Sequence, residues 1–219
     1  MTIRKWLTTA ALTAGLGLGL ALPSVAADKK DYTFGSLRTT EATVAKTQAE
    51  TWLKSTGKAY DAAAFTKIWA NEEASVLDRT LASLELGSDD AKKILATARN
   101  SGTVAPVGIP ALLKDEKQAL FLRANLALGF ARGCTNGRVY EESLEAISLV
   151  KAEQTVDPSA YLFHRSVAEH ALIKKDDAMR SIVRLIDDVS DAPDRYKMLA
   201  TIMFIDMPLR KREACSAGT

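Results

Sequence analysis

Between Asp157 and Val189 (DPSAYLFHRSVAEHALIKKDDAMRSIVRLIDDV) apolar residues recur every three or four positions, stop once at a charged run, and recur again. Only a helix, with about 3.6 residues per turn, returns such positions to one face. Asp157 is placed to cap the first helix, and Pro158 falls at its first position, where the missing N–H costs nothing. Ala160, Phe163, Val167, Ala168 and Ala171 share one face. The run Lys174, Lys175, Asp176, Asp177 makes the turn, and Ala178, Ile182, Leu185 and Val189 stripe the second helix. A hairpin of this kind cannot bury its stripe alone, so the chain is expected to be all-α, with antiparallel helical hairpins stacked on this one.

The first residues read as an address. Arg4 and Lys5 precede an apolar run from Leu7 to Leu22 that holds Gly15, Gly17 and Gly19; Pro23 and the small residues Ser24 to Ala27 follow. This is the pattern of a cleaved secretory signal over residues 1–27, too short and glycine-rich for a membrane anchor. It predicts a periplasmic or secreted protein starting at Ala27 or Asp28, with no membrane span after cleavage. Loss of Arg4 and Lys5 with the signal leaves 27 basic residues against 27 acidic ones. A balanced charge gives no reason to expect nucleic acid as a partner. Cys134 and Cys215 are the only cysteines, separated by 80 residues. Export would permit a Cys134–Cys215 disulfide, worth at most ~4–5 kcal/mol in the chain-entropy model. Two unpaired thiols are the other reading.

Along the chain, residues 28–39 form an extended lead-in to an N-terminal helical part spanning 28–102. A helix from Thr40 carries Ala45, Ala49, Trp52 and Leu53 on one face and closes at Gly57. Phe65, Ile68, Trp69, Val76, Leu77, Leu81 and Leu84 then fit one long helix or two broken near Asn71. Ser88 caps a helix bearing Ala91, Ile94, Leu95 and Ala98. The segment TVAPVGIP carries Pro106, Gly108 and Pro110 and opens a linker over 103–114. Helical hairpins occupy 115–207. The helix from Asp115 to Arg132 is apolar nearly all round, Gly133 to Gly137 form a loop, and Tyr140, Leu144 and Ile147 stripe the next helix. The prolines after the signal all avoid helix interiors in this reading, and Pro208 ends the last helix before a tail, 208–219.

Two internal matches accompany this pattern. Phe121-Leu-Arg123-Ala124 matches Phe163-His-Arg165-Ser166 at an offset of 42, and Ser143 and Ile147 match Ala178 and Ile182 at an offset of 35. The 157–189 hairpin resembles a tetratricopeptide (TPR) type repeat. His164, Val167, Ala168 and Ala171 sit where its first helix packs, and Ala178, Ile182 and Leu185 match its second. His164 replaces the usual opening aromatic, and the turn is about two residues short of that repeat's pattern. The stretches PALLKDEKQALFLRANLAL, RVYEESLEA and VDPSAYLFHRSVAEHAL also resemble a family of secreted bacterial helical proteins of unknown function, over roughly residues 32–207. That resemblance implies no activity, cofactor or catalytic residue. It implies a charged helix beyond Met207, where this chain has PLRKREACSAGT.

Chemistry-bearing patterns are sparse. His164 and His170 stand six apart on a helix, pointing about 120° away from each other, so they cannot share a metal. His164 reads as a neutral core histidine bonded to a neighbouring backbone carbonyl, or else as a buried proton switch. The pairs Glu72-Glu73, Asp89-Asp90, Glu141-Glu142, Asp176-Asp177 and Asp187-Asp188 read as helix starts and solvated faces. No nucleophile elbow, phosphate loop, dinucleotide fingerprint or zinc motif occurs, so no catalytic, cofactor-binding or metal residue is expected. The expected function is a secreted protein–protein interaction module and not an enzyme. A self-associating envelope protein is the alternative, and an enzyme without a recognisable motif a remoter one. In the last helix, Tyr196, Leu199 and Met203 are expected to pack inward. Met198, Ile202 and Ile205 then form a candidate partner surface, because nothing after them covers a terminal repeat unit.

Overall fold

The computed structural model describes residues 35–102 and 108–216, with side chains as far as Ile205. The signal pattern and the first part of the 103–114 linker lie outside the described residues. The fold is all-α: α1 Ala42–Ser55, α2 Ala62–Ala70, α3 Val76–Gly87, α4 Asp89–Arg99, α5 Ala111–Lys114, α6 Leu120–Asn136, α7 Tyr140–Ser148, α8 Pro158–Ala171, α9 Lys175–Asp187 and α10 Asp194–Ser216. Among the described residues there is no strand; an isolated parallel bridge joins Leu37 and Val189.

The starts follow local chemistry. Asp61, Ser75, Ser88 and Asp157 each accept a hydrogen bond from the backbone N–H three residues on, at 2.9–3.2 Å. Each such cap contributes about 1 kcal/mol. The chain breaks at Asn71, so α2 and α3 are separate helices, tied by the indole of Trp69 donating to Ser83 Oγ at 3.0 Å.

α6 is the central helix. It packs against α1, α3 and α4 on one side and α7 and α8 on the other, and α7–α8, α8–α9 and α9–α10 are successive neighbours, as in a stacked helical array. Leu122, Leu126, Leu128 and Phe130 are buried, in keeping with an apolar pattern on all sides. The N-terminal part and the hairpins therefore share one core. The lead-in fastens them further as a strap: Gly35 and Leu37 donate to the carbonyls of Asp187 and Asp188 at 2.8 and 2.9 Å, and Thr40 to that of Val156 at 2.8 Å.

Several boundaries differ from the sequence reading. The last four residues of the 103–114 linker are α5, whose Leu113 is buried in the common core. α6 begins at Leu120 rather than Asp115, because Asp115 instead closes a turn, its carboxylate accepting from Lys117 N and Gln118 Nε2. It also runs through the expected loop at Gly133 as far as Asn136. Gly133 is there for proximity: a Cβ on it would lie 2.7 Å from Ala98 carbons, so its absence lets α4 approach.

The turn after α8 is Leu172–Lys174, and Lys175, Asp176 and Asp177 already belong to α9, where the two carboxylates suit the helix start. Lys174 N bonds to Glu169 O and Ile173 N to His170 O, a Schellman closure with Ile173 at φ 61°. Ala171 is exposed, and Phe163 and Val167 are only half-buried; Tyr161, Leu162 and His164 take the core positions. α10 continues past Pro208 to Ser216. Pro208 removes one backbone donor, and the helical bonds on either side of it suffice to carry the helix through.

Candidate functional site: the α10 face and the cleft beneath it

α10 lies on the α8–α9 hairpin. Ala200 is fully buried, and Tyr196 and Met203 pack against the core, all three on one side of the helix. On the opposite side Met198, Ile202 and Ile205 are 59%, 56% and 58% exposed, spaced four and three apart on one face. These are the residues expected as the outer surface. Leu199 was expected to pack inward; it is 43% exposed, because it stands at the edge of a cleft and not over the hairpin.

That cleft, about 500 Å³, opens between α3, α4, α6, α8 and the first turns of α10. Leu81, Leu95, Phe163 and Leu199 give it apolar walls, and Arg99, Arg132 and Arg195 line it from three different helices. Arg132 Nη2 donates to Asp78 Oδ1 at 2.7 Å, Arg99 pairs with Glu85, and the Arg195 guanidinium lies 5.0 Å from the Tyr196 ring centre.

His164 forms another part of the wall. It is 4% exposed and stands edge-on to Phe163, as a core histidine was expected to be. The expected bond to a backbone carbonyl is not made: neither ring nitrogen has a hydrogen-bond partner. Burial, then the charges of Arg132 and Arg195, push its pKa down to about 3. His164 is therefore a neutral imidazole at ordinary pH, with an unused donor and an unused acceptor.

Two further arrangements were not visible in the sequence. A groove of about 900 Å³ runs between α1 and the start of α6, with Val44, Leu120 and Phe121 among its lining residues. Its Thr47 and Thr51 hydroxyls donate back to the carbonyls of Thr43 and Thr47, which leaves their methyls to the groove. Between α8 and α9 the buried Glu169 carboxylate accepts from Arg165 Nε at 2.8 Å and Ser181 Oγ at 2.6 Å, and Arg165 also donates to the Tyr161 hydroxyl. This network joins the two helices with both carboxylate oxygens bonded.

Cys134 is a free, buried thiol in α6, and burial raises its pKa to about 11. The Cys215 side chain lies outside the described residues. Of the acidic pairs, Asp89-Asp90, Glu141-Glu142 and Asp176-Asp177 occupy first turns of helices. No group of three or more metal-ligating side chains occurs among the described residues, and no described helix is long and apolar enough to cross a membrane. Comparisons with protein-family models, curated proteins and solved structures return no match.

Proposed function

We propose that this protein is a secreted, TPR-like helical module that binds another protein through the outer face of α10, without catalysis. The observation that carries the reading is the row Met198, Ile202, Ile205, three large apolar side chains left in water on one helix face. Such a row is the anchor pattern of a helix that docks against another, and methionine adapts its shape to a partner. The TPR-like character is supported by the α8–α9 hairpin, and export by the charge–apolar–small pattern of residues 1–27.

The test places a photo-crosslinking residue at position 202 in exported protein, with and without Ile205→Glu. A discrete adduct that Ile205→Glu removes, with helical signal and melting temperature unchanged, supports the reading. Its persistence in the variant, or unfolding by Ile202→Glu, overturns it. Size measured over a concentration series tells a second copy of this chain from a different protein. Intact mass of the exported material checks for a start at Ala27 or Asp28.

A further inference from the structure

We infer that the cleft beneath the first turns of α10 binds a small organic anion: an apolar body carrying one carboxylate or phosphate head. Arg99, Arg132 and Arg195 converge on it from α4, α6 and α10, and no carboxylate is among its lining residues. The acids that pair with two of these arginines, Asp78 and Glu85, are not part of the wall. Each guanidinium has five N–H donors in a planar fork, so one ion pair leaves donors over for a ligand's oxygens.

The apolar walls decide what carries the charge. An inorganic ion would leave Leu81, Leu95, Phe163 and Leu199 uncovered, whereas an organic body fills a space of about 500 Å³, a size usual for small-ligand sites. His164 closes one side of the cleft. It belongs to the wall, it is almost fully buried, and both its ring nitrogens lack partners. Those nitrogens are closed to solvent, so the ring bounds the cleft as a surface and the guanidiniums supply the donors. Burial and the neighbouring arginines hold its pKa near 3, so His164 adds no charge at neutral pH and the arginines supply it. The inference is independent of any protein partner, since the cleft is complete in a single chain.

The experiment is calorimetric titration of the isolated protein at neutral pH with octanoate, octyl phosphate and octan-1-ol. At least one of the two anions should bind at millimolar concentration or below, and the alcohol at least about tenfold more weakly. Arg195→Gln should weaken the anion at least about tenfold. Arg195 is the variant of choice because it is exposed and has no carboxylate partner among the described ion pairs. Arg99→Gln provides a second reading. The inference is overturned if neither anion saturates, if alcohol and anion bind equally, or if both variants retain full affinity. Co-sedimentation with phosphatidylglycerol vesicles that octanoate displaces supports the site with a lipid head group as ligand. Anion binding without co-sedimentation supports it with a free anion.

Discussion

Phe163 and Tyr196 stack with ring centres 4.4 Å apart and planes 14° from parallel, and Tyr196 also stands edge-on to His164 at 6.3 Å. This stack joins α8 to the first turn of α10, and with Ala200 and Met203 it sets which side of α10 faces out. Tyr196→Ala should cost about 2 kcal/mol in a denaturant melt, from lost burial and ring contact. Tyr196→Phe keeps the stack and should stay within about 0.5 kcal/mol of the parent. An equal loss in both would show that the ring does not anchor the helix.

Stability should fall with acid through His164. Its folded pKa, about 3, lies below the ordinary 6.5, so the unfolded chain takes up this proton first as pH drops. Above 6.5 both states are neutral and His164 contributes no slope. Between 6.5 and 3 the folded state loses about 1.4 kcal/mol per pH unit relative to the unfolded one. The charges that act on the ring are those of Arg132 and Arg195. His164→Leu should remove this slope, and chemical melts between neutrality and pH 4 measure the difference between the two proteins. Identical slopes would refute the assignment.

Ile173 is a β-branched residue at φ 61°, and it is 76% exposed. The left-handed position of a Schellman closure favours glycine, so Ile173→Gly should stabilise the protein by about 1 kcal/mol despite the freer unfolded chain. A rise in melting temperature checks it.

Gly133→Ala should act in the opposite sense. Alanine is the better helix former by about 1 kcal/mol, but its Cβ would meet the backbone of Ala98, which cannot turn aside. A net loss of about 2 kcal/mol or more is expected in the same melts.

Cys134 should resist alkylation at pH 8 until the protein unfolds, since its thiol is buried and its pKa is raised to about 11. Peptide-level mass spectrometry separates it from Cys215. The same map, run without reduction, reads whether the two are joined.

The legible parts of the fold were those fixed by neighbours in the chain. Asp157-Pro158 and Ser88 announce helix starts because capping is a contact over three residues. The errors lie where a distant contact overrides a local cue. Gly133 looks like a breaker, and its meaning comes from Ala98. Ile173 carries no turn signal, so the charged run beside it took the role. Pro208 disfavours a helix by a few kcal/mol, which flanking turns absorb. The face of Met198, Ile202 and Ile205 was readable from spacing alone. The cleft was not: positions 99, 132 and 195 share no motif and meet only once α4, α6 and α10 are assembled.

The strap has a consequence for the order in which the molecule is completed. Thr39 donates its amide to the carboxylate of Asp191, 152 positions later. A chain delivered N-terminus first therefore holds its opening stretch idle until nearly everything else has arrived. Contacts of such span form slowly, because the loop they close must first be drawn together. α1 to α4 can gather early on neighbouring contacts, but the latch shuts only when the last hairpin is in place. The beginning of the described chain is thus the last piece to be seated.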